Sequence, residues 1–177
     1  MSADALKTVA IRSLHAMGAG DADELATLIH PDAINREAVD EPADCRGTGP
    51  AAFVATSRWL REAWSDIAFT AGTCVVDADL VVTHGTMAGR HTGPFTVYDD
   101  DARVVQVFPA TGRRFTVDHA HFFRMRDGLI VEHWAVRDDR SLGEQLGWAP
   151  PTPAYAVRMM LATRRARRRS VRRASGY

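Results

Sequence analysis

The chain has 177 residues, 46% hydrophobic and 25% charged, which suits one soluble domain with a real core. Its zero net charge hides a division: Ala154 to Tyr177 holds eight Arg and no acid, while the other 153 residues carry 14 basic and 22 acidic side chains, a net of −8. Cys45 and Cys74 stand in neither a CxxC nor a metal-type spacing, so reduced thiols are expected rather than a disulfide framework.

Residues 4–17 place Leu6, Val9, Ala10, Ser13, Leu14 and Met17 at helical spacing, and Gly18 reads as the stop. Asp21 with Glu24 three residues on is a capping-box pattern, predicting a helix through Leu25, Leu28 and Ile29 that Pro31 ends. "DAINREAVDEPADCRG" reads as a short extended piece and then a polar loop. Residues 50–64 predict a third helix, with Pro50 in its first turn and Phe53, Val54, Trp59, Leu60 and Trp64 along it.

After Asp66 the period becomes that of strands. "IAFTAGTCVVDADLVVTHGTMAGR" predicts two strands around Asp77-Ala78-Asp79. "RRFTVDHAHFFRM" and "LIVEHWAVRD" predict two more around a tight turn at Asp127-Gly128. The stretch between Gly93 and Gly112, with its acidic knot Asp99-Asp100-Asp101, reads as an extra hairpin or a mobile flap. "DRSLGEQLG" predicts a short closing helix, and Pro150, Pro151 and Pro153 form a break. The arrangement is α+β: N-terminal helices packed on a curved antiparallel sheet. The expected organisation is a domain over 1–148 and a Pro break with an Arg-rich tail over 149–177. That tail reads either as a basic amphipathic helix or, preferred here, as a mostly disordered solvated segment folded back on the acidic body. Its partner is unknown.

Strand parity sets one face of 113–125 as Phe115, Val117, His119, His121 and Phe123, the more apolar and hence concave side. Val81, Thr83, Gly85, Met87 and Gly89 share a side of their strand, and His133 shares a side with Ala135 and Arg137. A concave apolar wall holding a few imidazoles is the usual make-up of a small-molecule pocket. The alternative is a packed core with satisfied histidines. Trp59 and Trp64 read either as a lid on such a pocket or as core aromatics, and Arg90 and His91 either as binding an anionic group at its mouth or as a turn with a solvated charge. The HxH pair His119 and His121 has no recognisable third ligand, so no metal is expected. No GxGxxG, GxSxG or P-loop pattern is present, which disfavours nucleotides and a serine nucleophile. No nucleic acid is expected as a partner. No basic start with a continuous apolar run opens the chain, so a cytoplasmic location is expected.

"LIHPDAIN" (28–35), "RGTGPAAF" (46–53), "GRHTGPF" (89–95), "PATGRRFTV" (109–117), "HAHFFRMRDGLIVEHWAVRDD" (119–139) and "LGEQLG" (142–147) resemble the SnoaL-like polyketide cyclases. These belong to the nuclear transport factor 2-like superfamily, an α+β cone also used by ketosteroid isomerase. The resemblance spans residues 4–148. It implies a central apolar pocket, a homo-oligomer joined through outer sheet faces, and intramolecular aldol condensation of a hydrophobic polyketide ester without metal or cofactor. It also implies that Asn35 and His121 orient and polarise carbonyl oxygen. The family's acid/base Asp falls fourteen residues after that His, where this chain has Ala135. His133 or Asp138 is then the expected replacement, with Glu37 a further acid able to reach inward; the alternatives are a surface or interface role for His133 and, for Asp138, a cap on the last helix with Asp139. Trp59, Met87, Arg90, His91, Phe115, His119, Phe123, Trp134 and Ala135 are the expected substrate contacts. The alternative function is a non-catalytic binder or an oxygenase-type tailoring relative.

Overall fold

A computed structural model describes residues 1–174. Helix α1 (Ala3–Ala19) is followed by α2 (Ala22–Leu28), strand β1 (Ile29–Asn35), a 3-10 turn at Ala43–Arg46 and α3 (Gly49–Ala63). Strands β2 (Trp64–Asp77) and β3 (Leu80–His91), a hairpin of β4 (Phe95–Tyr98) and β5 (Val104–Phe108), and strands β6 (Arg114–Arg126) and β7 (Leu129–Arg137) come next. Helices α4 (Asp139–Leu146) and α5 (Pro153–Ala174) close the described chain.

The first helix ends two residues beyond its expected stop. Gly20, at φ 76°, is the left-handed cap, a conformation glycine adopts without steric cost. Gly18 lies inside the helix, where a Cβ would stand 3.3 Å from the Ile67 carbonyl oxygen and the Phe69 ring. It is small because α1 crosses β2 closely. Asp21 caps α2 by accepting from the Glu24 N–H at 2.9 Å. The Glu24 carboxylate pairs with Arg12 on α1 instead of returning to the cap.

The main sheet has the order β1-β7-β6-β3-β2, and the second sheet is the β4-β5 hairpin. The sheet is mixed rather than antiparallel, because β1 runs parallel to β7, with Asn35 opposite His133. Those two strands are joined through nearly the whole domain rather than by a turn, so their directions are free to agree. The stretch expected as a hairpin or flap is a hairpin.

Burial alternates strictly along the first half of β6, with Phe115, Val117, His119, His121, Phe123 and Met125 inward. On β7 an irregularity between the Arg124–Glu132 and Met125–Ile130 pairs leaves Val131 as an extra residue. That extra residue turns Ile130 inward on the same side as His133 and Ala135. Helices α1 and α3 cover this concave face. Leu6, Ala10, Leu14, Phe53, Phe123 and Ile130 form the core at one end, and Trp64, Met87, Phe115 and Leu146 at the other. The Ser57 hydroxyl donates to the Met17 carbonyl at 2.6 Å and fastens the two helices together.

The basic tail is helical over its described length. It runs beside β5, with Tyr155 and Thr163 buried against the hairpin. The Val107 N–H donates to the Thr163 hydroxyl at 3.0 Å, and the Tyr155 hydroxyl donates to the Pro109 carbonyl at 2.8 Å. Arg167 donates to the carbonyls of Val104 and Val105. A lone two-stranded hairpin is marginal in water, and α5 supplies partners for its free edge. That edge is the physical reason the segment is ordered rather than solvated.

Candidate functional site

Between the concave sheet and the helices lies a cavity of about 250 Å³. Its size falls just below the usual range for small-molecule pockets. Its walls are mainly aromatic and aliphatic: Phe53, Trp59 and Leu60 from α3, Trp64, Phe69, Met87, Phe115 and Phe123 from the sheet, Phe95 from the hairpin and Trp148 after α4. Ser13 of α1 and Asp139 of α4 add polar groups at the margins, but most of the polar lining belongs to one set. Its members come from β6 and β7 (His119, His121, His133, Arg137), from β1 and the loop after it (Asn35, Glu37, Asp40, Glu41) and from α3 (Thr56).

These polar groups are linked in a row. His119 Nδ1 lies 3.4 Å from His121 Nε2, and His121 Nδ1 lies 3.1 Å from His133 Nε2. His133 Nδ1 lies 3.0 Å from Asn35 Oδ1. Asn35 Nδ2 donates to the Thr56 hydroxyl at 3.5 Å, and that hydroxyl donates to Glu41 Oε2 at 2.5 Å. Strand pairing builds this, since His121 stands opposite Ala135, Phe123 opposite His133, and His133 opposite Asn35.

The cavity sets the charge states. Burial is the main cause lowering all three imidazoles, and Arg137 lowers them further. His119 and His133 fall to about 4 and His121 to about 2, so all three are neutral at pH 7. Glu41 is 2% exposed, and burial pushes its carboxyl up to about 7, against a weaker opposing pull from the Thr56 hydroxyl. A carboxyl titrating there exchanges protons readily near neutral pH. Cys45, nearby, is driven to about 12 mainly by burial and is a neutral thiol. Glu37 reaches across the gap left by Ala135: its Oε1 accepts from the Ala135 N–H at 2.9 Å, and Arg137 lies 3.6 Å from its other oxygen.

The nitrogens of the histidine row face one another, not a common point. Among the described residues no group of three or more His, Cys, Asp or Glu converges as a metal site would require.

Of the residues expected from sequence, Asn35, Trp59, Met87, Phe115, His119, His121, Phe123, His133 and Ala135 line the cavity together. Four others are placed elsewhere. Asp138 is the N-cap of α4, accepting from the Ser141 N–H at 3.0 Å, because β7 has ended and the strand parity turns it away. Trp134 is on the outer sheet face, stacked on Phe122 at 5.2 Å with the Arg36 guanidinium 5.5 Å from its ring. Arg90 also points outward by parity and donates to the Gly112 carbonyl. His91 points inward but is fully buried between Trp64 and Trp148, with Nδ1 3.2 Å from the Thr111 hydroxyl, and is sealed off from the cavity.

Glu41, Thr56 and Asp40 were not anticipated from sequence, whereas strand parity had put Arg137 on the side of His133 and Ala135 without giving it a role. Thr56 had a signal: it lies three residues from Phe53 and four from Leu60, on the inward face of α3. Glu41 had none, since an acid in a polar loop is ordinarily solvated.

A concave α+β sheet enclosing an apolar cavity with one polar wall is a small-molecule pocket on a nuclear transport factor 2-like cone. The family model for the SnoaL-like polyketide cyclases matches residues 8–146, and the chain belongs to that family. It is 32% identical over 148 residues to the aklanonic acid methyl ester cyclase DnrD of Streptomyces peucetius, covering 80% of this chain and 90% of that protein. It is 29% identical over 133 residues to the nogalonic acid methyl ester cyclase of Streptomyces nogalater, covering 75% and 90%. Among solved structures, TsrD from Streptomyces laurentii aligns with a TM-score of 0.67 and 27% identity, over 83% of this chain and 98% of that one. IdmH, a polyketide cyclase candidate from Streptomyces antibioticus, aligns with a TM-score of 0.59 and 26% identity, over 80% and 98%. No helix among the described residues is long and apolar enough to cross a membrane.

Proposed function

We propose that this protein rearranges a hydrophobic, carbonyl-bearing small molecule, such as an aromatic polyketide ester, by acid/base chemistry of the aldol type without a cofactor. The observation that carries this reading is Glu41. It is a carboxyl buried on the wall of an aromatic cavity, titrating near pH 7 and joined through Thr56 to Asn35. It offers the function that Ala135 lacks. The carboxylate of Glu41 takes the proton from the carbon next to a carbonyl. The resulting enolate carbon attacks a ketone in the same molecule, forming a carbon–carbon bond as the carbonyl π bond opens to an alkoxide. That alkoxide recovers the proton from Glu41, so product and substrate are isomers and no oxidant is required. The aromatic walls hold the two reacting ends together. Names of the relatives point to methyl esters as first probes, and an ester suits a wall carrying Glu37, Asp40 and Glu41 better than a free acid does.

Ala135 itself favours a second reading, a binder that returns its ligand unchanged. Incubation with aklanonic acid methyl ester followed by chromatography and mass spectrometry separates the two. A ring-closed isomer supports the enzyme; full recovery of bound starting material supports the binder. For assembly, we propose pairing of two copies through the outer sheet face around Trp134, Phe122 and the exposed Val136. A monomeric mass in sedimentation would refute that pairing.

A further inference from the structure

We infer that the polar row is a one-way chain, with every hydrogen bond donated toward Glu41, so that the cavity meets His119 as a hydrogen-bond acceptor at Nε2. This deepens the function proposed above and rests on the same cavity.

The direction follows from one fixed point. Asn35 Oδ1 accepts from the Glu37 backbone N–H at 3.2 Å, and a backbone N–H can only donate. The amide orientation is thereby set, leaving Nδ2 toward Thr56. His133 must then donate from Nδ1 to the same Oδ1. A neutral imidazole protonated on Nδ1 has a lone pair on Nε2, so His121 donates to His133 from Nδ1. The same step makes His119 donate from Nδ1 to His121. Both nitrogens of His121 and of His133 are now used. Nε2 of His119 is the ring nitrogen of the row without a partner among the described residues.

Two consequences follow. His121, whose expected task was to polarise a carbonyl, has no proton left to give a ligand. His119 pairs with a ligand that donates, so the cavity selects molecules bearing an enol or phenol hydroxyl. Asn35 is a positioning residue here, setting ring tautomers from three groups away.

Imidazole ¹⁵N NMR of histidine-labelled full-length protein at pH 7 tests this. His119, His121 and His133 are expected to be protonated on Nδ1, and any of the three protonated on Nε2 overturns the chain. Asn35→Asp, which keeps the acceptor, is expected to preserve the tautomers, whereas Asn35→Leu mixes those of His133. An unchanged spectrum in Asn35→Leu removes Asn35 from the role. If Asn35→Leu does not fold, the wild-type spectrum still decides the direction. Added 2-naphthol is expected to shift His119 Nε2 and to leave the His121 nitrogens in place. No shift at His119, or one at His121, overturns the acceptor assignment. None of these readouts needs turnover, so an inactive protein would sink the proposed reaction and leave the chain standing.

Discussion

At position 135 the cavity wall carries a methyl group, while carboxylates reach the same side from the loop after β1. Glu37 already bonds the Ala135 N–H, so an Asp installed there would meet a like charge. Ala135→Asp is therefore expected to leave kcat the same or lower; a gain of about tenfold would return the acid/base work to β7. Asp138, the other acid on that stretch, caps α4. Asp138→Ala is expected to lower the melting temperature by a few degrees, as loss of a cap does, and to leave turnover unchanged. A large loss of kcat with an unaltered melting temperature would contradict the capping role. Parity arguments reached His119, His121 and His133 because alternation along a strand is periodic. They missed Glu41 because a loop has no period, and its burial arises only when α3 folds over it.

Among the elements, the C-terminal helix departs most from expectation. Its Arg content reads as solvated, yet five residues in its first four turns face the hairpin or lie partly buried, Tyr155, Met159, Ala162, Thr163 and Ala166. Composition averages over the helix, whereas docking depends on one stripe of it. Thr163 is the joint, since it accepts from the Val107 N–H and donates to the Met159 carbonyl. Thr163→Val orphans a buried N–H and is expected to cost about 1–3 kcal/mol, measured by urea denaturation. An effect within experimental error would show that α5 is not anchored there. The helix–strand order and the concave face of β6 were legible in sequence, because both follow from hydrophobic periodicity. The parallel β1–β7 pair was not, since direction is a property of distant partners.

For the whole molecule, four buried imidazoles set the response to acid. His91, His119 and His133 fall to about 4 and His121 to about 2, each mainly through burial. Their depressed values mean that the unfolded chain binds protons first. Stability is therefore full above about pH 6.5 and declines as pH falls toward 4. Glu41 acts the other way: its raised carboxyl stabilises below about 4.5 and loses that contribution as pH rises through about 7. Four groups outweigh one, so the melting temperature is expected to fall steadily from pH 6.5 to 4. A melting temperature that held or rose over that interval would mean that these histidines are solvated.

The central claim is that the acid/base work has moved from the strand to Glu41. Its most direct test is the pH dependence of kcat/KM for a ring-closing ester, measured on wild type and Glu41→Gln. For the wild type, the rate should rise with pH and level off above about 7, as the carboxylate forms. Glu41→Gln should lose about 10²–10⁴-fold and that pH dependence with it. A Glu41→Gln variant that kept the wild-type rate and profile would contradict the account.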